Sequence, residues 1–257
     1  MSQMLIARQR KILEIIAANE LATVDELCAE LSVSEATVRR DLAALEAEGL
    51  VNRTWGGAVP VSSVAYGLYV HERSQENLRE KQMIVRAAAD LIHEGEVIAL
   101  DGGTTCMELA KQLRRFQRIT VFTNSLLAAH ILGNCSVTVH VIGGRLRSGE
   151  FSMVGNVARD TILRLHFDTF FMGASGFDLE NGPTDFNLDD VEIKQCFLRQ
   201  SRERVALVDH SKFGRTSLAS ICNVEDLTYL VSDPGISQDH IAALQSKGLT
   251  VLVGKDD

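Results

Sequence analysis

The stretch Ser34-Glu35-Ala36-Thr37-Val38-Arg39-Arg40-Asp41-Leu42-Ala43-Ala44-Leu45 decides how the N-terminal part of the chain is read. Val38, Leu42 and Leu45 recur at i, i+4 and i+7, the spacing that lines one face of an α-helix. Ser34 stands just before the helix, where a side-chain oxygen accepts from an exposed backbone N–H. On a wheel of about 100° per residue, Ala36, Arg40 and Ala43 fall opposite the apolar stripe, flanked by Thr37 and Arg39. Small residues let a backbone approach a groove, and arginines reach phosphates or guanine edges. The outward face therefore has the chemistry of a DNA contact. Periodicity alone describes equally well a small helical bundle with a solvated charged face.

Working outward, Leu5, Ile12, Ile15 and Ile16 form an earlier apolar stripe that ends at Asn19. Thr23 and Glu26 make a capping box for a second helix whose buried side is Val24, Leu27, Cys28 and Leu31. Ser32-Val33 is the turn into the third. Gly49 closes that helix, weak alternation follows over residues 50–54, and Trp55-Gly56-Gly57 makes a turn. These features predict a winged helix-turn-helix over residues 1–59, with Arg53 on the wing. Charge argues against a nucleic-acid partner, since the chain carries −8 overall. Residues 1–60 hold six basic residues against nine acidic ones. Arg39, Arg40 and Arg53 are nevertheless close in sequence, and charges beyond a Debye length of about 8–10 Å are largely screened, so a local basic face is compatible with the total.

The pattern Arg8, Ile12, Ile16, then Ser34, Thr37, Val38, Arg39, Arg40, Asp41 and Leu42, followed by Gly56-Gly57-Ala58, resembles the signature of the DeoR family of bacterial sugar-metabolism repressors. The resemblance implies a helix-turn-helix over about 22–41, with the recognition helix at 34–45. It implies DNA contacts from Ser34, Thr37, Arg39 and Arg40, with Arg53 added by the wing. Asp41 is expected to orient an arginine rather than touch DNA, because a carboxylate beside phosphate is repulsive.

Residues 60–77 are expected to be a linker, opening on Pro60-Val61-Ser62-Ser63. From residue 78 a helical period returns through Met83, Ile84, Ala87, Ala88 and Leu91. Beyond residue 96 short apolar runs alternate with helical stretches. Strands are expected at 97–100, 119–123, 137–142, 169–172, 205–208, 229–231 and 250–253. Helices are expected at 105–115, 125–132, 157–165, 189–202 and 238–247. This alternation predicts an α/β domain over 78–257, with a sheet covered on both faces and ligands at the strands' carboxyl ends. Those ends hold Asp101-Gly102-Gly103-Thr104-Thr105, Thr123-Asn124, Gly143-Gly144 and Asp209-His210-Ser211-Lys212. Glycines let N–H groups converge at a helix start, and threonine hydroxyls add donors, a chemistry suited to phosphate. Each run read alone is also an ordinary turn or cap, and Lys194 either reaches inward or is solvated.

Together the runs resemble the DeoR sensor domain, whose motifs match Asp101 to Thr105, Thr123-Asn124, Gly143 to Arg147, Asp168 to Gly176, and Asp209 to Gly214. That domain is similar to the ribose-5-phosphate isomerase and glucosamine-6-phosphate deaminase fold. The resemblance implies a phosphorylated sugar or polyol as effector, its phosphate on Gly102, Gly103, Thr104 and Thr105. It makes Asp101, Asn124, Lys194, Asp209 and Lys212 candidates for hydroxyl or phosphate contacts. Cys106 and His210 depart from the common pattern, which bears on ligand preference. A homodimer or homotetramer acting on an operator DNA duplex is implied, with no cofactor.

Five cysteines, odd in number and without a C-x-x-C pair, argue against a disulfide framework or zinc site. With no signal peptide and no membrane-spanning run, a cytoplasmic protein is expected. No motif assigns a catalytic residue, and no H-E-x-x-H or H-x-H pairing suggests a metal. An isomerase or deaminase-like enzyme with an appended DNA-binding domain is the alternative, but no paired carboxylates identify a base.

Overall fold

A computed structural model describes residues 7–19, 22–48, 50–53, 56–60, 70–147 and 150–256. The chain divides into two compact units, Met1–Tyr69 and Val70–Asp257. In the first unit α1 (Ala7–Asn19) precedes a short strand β1 (Ala22–Thr23), α2 (Val24–Leu31) and α3 (Glu35–Ala47). Strands β2 (Val51–Arg53) and β3 (Gly57–Pro60) follow, and the sheet order is β1-β3-β2. The expected capping box is present, with the Thr23 side chain accepting from the Glu26 amide. Ser32 makes the turn in the left-handed region, φ 53°. Ile12, Ile16, Leu27, Val38, Leu42 and Leu45 share one core with Ala22 and Ala58. Of the expected features, Leu5, Gly49, Thr54 and Trp55 lie outside the described residues.

The second unit opens with α4 (Val70–Gln75) and α5 (Leu78–Ala89). Then come β4 (Val97–Leu100), α6 (Thr104–Leu113), β5 (Thr120–Thr123), α7 (Leu126–Leu132) and β6 (Thr138–Val141). Strands β7 (Arg145–Arg147) and β8 (Ser152–Val154) form a hairpin before α8 (Asn156–Ile162) and β9 (Phe167–Gly173). Next are β10 (Gly176–Asp178), β11 (Gly182–Asp185), α9 (Leu188–Gln200), β12 (Ser201–Leu207) and β13 (Ala219–Ser220). The chain ends in β14 (Tyr229–Ser232), α10 (Gln238–Ser246) and β15 (Thr250–Val253).

All seven expected strands enter one parallel sheet of order β15-β14-β12-β9-β4-β5-β6. Its residues alternate faces, as a strand period of two requires. Ile98, Leu100, Phe171, Val205 and Leu207 pack with α5, α6 and α7. Ala99, Phe170, Met172, Ala206 and Leu230 pack with α8, α9 and α10 on the other face. From β4 the chain builds outward through β5 and β6, then returns to build the opposite half from β9. The sheet therefore has its switch point between β4 and β9.

Three expectations need correction. Pro60 is the last residue of β3, paired with Val51, rather than the start of a linker. Val70–Gln75 is helical, although 60–77 was expected to be linker; residues 61–69 lie outside the described residues. The helix expected to reach Arg202 ends at Gln200, because the Ser201 hydroxyl donates to Phe197 O and the chain turns there into β12. Two small antiparallel sheets, β10-β11-β13 and β7-β8, were not expected.

Gly57 is required by close approach: a Cβ there would lie 2.1 Å from Ala22 O, whereas one on Gly56 meets nothing within 4 Å. Gly57→Ala should therefore destabilise the first unit by about 1–3 kcal/mol, and Gly56→Ala should be near neutral. Urea unfolding with native-state hydrogen exchange of α1–α3 tests the pair. Equal stability of the two variants would refute this account of the wing.

Candidate DNA-binding face and ligand site

Each expected DNA-contacting side chain lies on α3 or the wing. Ser34 caps α3, its Oγ accepting from the Thr37 amide at 3.4 Å and lying 2.9 Å from Thr37 Oγ1. Arg39 is paired along the helix with Glu35, Nε to Oε1 2.7 Å. Arg53 donates its amide and its guanidinium to Glu46, at 3.2 and 3.4 Å. Such exposed pairs contribute about 0–1 kcal/mol, little enough to be exchanged for a phosphate. Arg40 is exposed and has no hydrogen bond or ion pair among the described residues. Asp41 is buried and holds an arginine, as expected, but the arginine is Arg8 of α1: Nε donates to Oδ2 at 2.5 Å and Nη2 to Oδ1 at 3.2 Å.

In the second unit the parallel sheet carries the candidate ligand residues on its carboxyl edge. At the switch point Lys194, from α9, is buried between two carboxylates. Its Nζ lies 3.1 Å from Asp101 Oδ2, donates to Asp185 Oδ2 at 2.7 Å, and donates to Gly173 O at 2.8 Å. Asp101 Oδ2 also accepts from the Gly173 amide at 3.3 Å. Burial pushes the Asp101 carboxyl up, and Lys194 only partly opposes this, so it rests at about 6. Burial also pushes Asp185 up. The charge and hydrogen bond of Lys194, with further bonds from Ser175 and the Phe186 amide, outweigh it and leave Asp185 below its ordinary value. Burial pulls Lys194 down, and the two carboxylates more than restore it. The lysine therefore reaches inward. Asp185, on a hairpin with no recognisable motif, is the partner that sequence reasoning missed.

The start of α6 lies beside this triad. Gly103 is its N-cap, at φ 88°, with no side-chain cap on the first amides. Thr104 is buried and Thr105 half-buried at the first two helical positions. Thr123 ends β5, the next strand, in register with Leu100, and Asn124 follows it. Thr123 Oγ1 accepts from the Ser125 amide at 3.0 Å, which is a turn role. Asn124 Nδ2 donates to Met153 O at 3.2 Å, while its buried Oδ1 has no partner among the described residues. A buried acceptor left unpaired is costly, and it needs a donor. Ser152 stands close by: a Cβ on Gly102 would be 3.7 Å from Ser152 Cβ.

The remaining candidates are spread along the same edge. Gly143 is exposed after β6, and Gly144 is dictated by packing, since a Cβ there would lie 2.7 Å from Val154 O. Asp209 follows β12, two strands from β4. Its Oδ1 accepts from the Ser211 amide at 3.0 Å and from Asn77 Nδ2 at 3.2 Å. Lys212 is half-buried in the same 3-10 turn. His210 is held by Asp233, Nδ1 to Oδ2 2.8 Å. Sequence reasoning also missed a polar line from the β7-β8 hairpin to α9. Ser152 Oγ donates to Asp190 Oδ1 at 3.3 Å, and Arg147 pairs with Asp190 at 2.8 Å and lies over Phe186.

The triad makes a pH prediction. Asp101 binds its proton more tightly folded than its ordinary value of 3.8 allows, so its contribution to stability is complete below that value and is lost as pH rises through about 6. Asp101→Asn should flatten the dependence of unfolding free energy on pH between about 4 and 6. Urea titrations across that range test this, and an unchanged slope would place the shifted carboxyl elsewhere.

Residues 8–64 match the DeoR-like helix-turn-helix domain, and residues 76–234 match the DeoR C terminal sensor domain. The chain is 36% identical over 249 residues to the HTH-type transcriptional regulator GolR of Listeria innocua, covering 96% of this chain and 98% of that one. It is 34% identical to the HTH-type transcriptional regulator GlpR of Haloferax volcanii, covering 96% and 97%. It is 30% identical to the HTH-type transcriptional repressor GlcR of Bacillus subtilis, covering 96% and 95%. On these matches, which span both units, the chain belongs to the DeoR family of helix-turn-helix transcriptional regulators.

Proposed function

We propose that this regulator represses genes of sugar or polyol use, and that a phosphorylated sugar or polyol held at the carboxyl edge of the parallel sheet sets its affinity for DNA. The observation that carries the ligand half is the start of α6 at the switch point, which among the described residues has no side-chain cap, together with the Asn124 oxygen, which has no partner among them. The helix start and its glycines suit a phosphate. Asn124 Oδ1 is an acceptor and suits a hydroxyl. Thr104 and Thr105 add donors, and Gly143, Gly144, Asp209 and Lys212 stand further along the same edge. A coupling of about 1–3 kcal/mol suffices for a 5–150-fold change in operator affinity. The DNA half rests on Ser34, Thr37, Arg39, Arg40 and Arg53, in a dimer or tetramer that presents the face to successive half-sites.

We read the protein as a binder, not an enzyme, because the best-placed base, Asp101, is buried and already held by Lys194 and the Gly173 amide. No helix among the described residues is long and apolar enough to cross a membrane.

Arg40→Ala should weaken operator binding at least about tenfold without changing thermal stability, since the side chain is exposed and unpaired among the described residues. A gel-shift titration with unchanged affinity would refute the assignment. Thr105→Asp should keep the fold, because Thr105 is half-buried and a carboxylate is favourable in the first turn of a helix, yet abolish binding of sugar phosphates by repulsion. Normal binding by calorimetry would move the phosphate elsewhere. Incubation with phosphosugars should give no product; isomerisation or ammonia release would favour the enzyme reading.

A further inference from the structure

Two contacts tie the segment that follows the DNA-binding unit to the rim of the ligand site proposed above. The first is Arg73 on α4, whose Nη1 and Nη2 donate to Glu150 Oε1 and Oε2, each at 3.0 Å. Glu150 is 7% exposed. Such a bidentate pair fixes geometry as well as charge, and a carboxylate so buried cannot be left without its arginine cheaply. Glu150 lies just before β8, in the stretch that braces Asn124. Phe151 O accepts from the Leu126 amide at 2.9 Å, the Met153 amide donates to Asn124 O at 2.7 Å, and Met153 O receives the Asn124 side-chain amide.

The second contact is Asn77, between α4 and α5. Its Nδ2 donates to Asp209 Oδ1 at 3.2 Å and to Ser211 Oγ at 3.1 Å, both in the turn after β12. Buried Lys81 closes the strap, Nζ donating to Arg73 O at 2.5 Å and to Glu76 O at 2.6 Å. The backbone marks the same two places. Among the described residues, three non-glycine residues have positive φ: Ser32, Asn77 at 48° and Phe151 at 55°. A bulky aromatic side chain in that region is an outlier that its surroundings must enforce. Two of the three thus sit at the two anchors.

We propose that the α4–α5 strap relays occupancy of the ligand site to the connection with the DNA-binding unit, with Arg73 and Asn77 as its positioning residues. The inference rests on the proposed ligand reading. A ligand that gives a donor to Asn124 Oδ1 acts on the stretch from Glu150 to Met153. One that reaches Asp209 acts on the partner of Asn77. Either displacement moves the strap, because its anchors are a buried ion pair and a side-chain amide shared by two acceptors.

The test uses the full chain, a duplex of its own upstream region, and a panel of sugar and polyol phosphates with inorganic phosphate as control. DNA affinity is measured with and without each compound, and compound affinity with and without DNA. In the wild type the bound compound should change DNA affinity roughly 5–150-fold, reciprocally. Glu150→Gln and Arg73→Met should each bind compound and DNA nearly as the wild type does, yet lose most of the coupling. The reversed pair Arg73→Glu with Glu150→Arg should restore part of it. Undiminished coupling in the single variants overturns the proposal. If thermal unfolding shows those variants misfolded, Asn77→Gly, which removes the amide contact and tolerates the positive φ, decides in the same way. If no compound binds the wild type, the ligand reading itself falls, and the relay with it.

Discussion

A single ammonium group shared by two buried carboxylates holds the second unit to its geometry. Lys194 joins α9 to the end of β4 through Asp101, to the end of β9 through Gly173 O, and to β11 through Asp185. These elements are far apart in sequence, and the cluster sets their spacing at the switch point. Removing one member of such a cluster leaves uncompensated buried charge and costs about 3–5 kcal/mol. The cluster also limits what this edge could recognise under the proposed function. Two carboxylates and one ammonium leave it net negative, and all three groups are already hydrogen-bonded. In our reading anion recognition therefore falls to the backbone amides at the start of α6, and hydroxyl recognition to Asn124, rather than to the lysine that a search for cations would choose.

The same logic governs the first unit on a smaller scale. Asp41 is buried at the centre of α3's inner edge and is satisfied by both arms of Arg8. The pair fixes α3 against α1, so the outward face of α3 is presented at a set angle. A carboxylate in the middle of the helix we propose to read DNA then makes sense as the device that aims it.

Much of this was legible in the sequence, for physical reasons that also mark the limit. The seven strands of the large sheet are read from short apolar runs because both faces are buried, and the capping residues Thr23 and Ser34 are read because their hydrogen bonds are local. The short antiparallel pairs β7-β8 and β10-β11 have no such run and depend on contacts with distant elements. Helix α4 carries no apolar stripe; Arg73 meets Glu150, 77 positions away. Lys194 had two open readings because its partners come from three separate strand ends. Gly144 looked like a ligand glycine, yet Val154 O already accounts for its missing side chain.

Net charge is the feature that most resists a DNA-binding reading, and local pairing resolves it. Residues 1–60 hold more acids than bases, but the acids that matter are spoken for: Glu35 lies along Arg39, Glu46 beneath Arg53, and Asp41 inside with Arg8. At physiological salt the others act weakly beyond about 8 Å. In the reading proposed above, a phosphate approaching α3 meets Arg40 first, then two arginines whose exposed pairs exchange at little cost. On that proposal, with two copies meeting the duplex in register, affinity is modest per copy and a small displacement between copies is enough to lose it. The proposed regulator is then sensitive to geometry rather than to charge, and geometry is what the proposed strap changes.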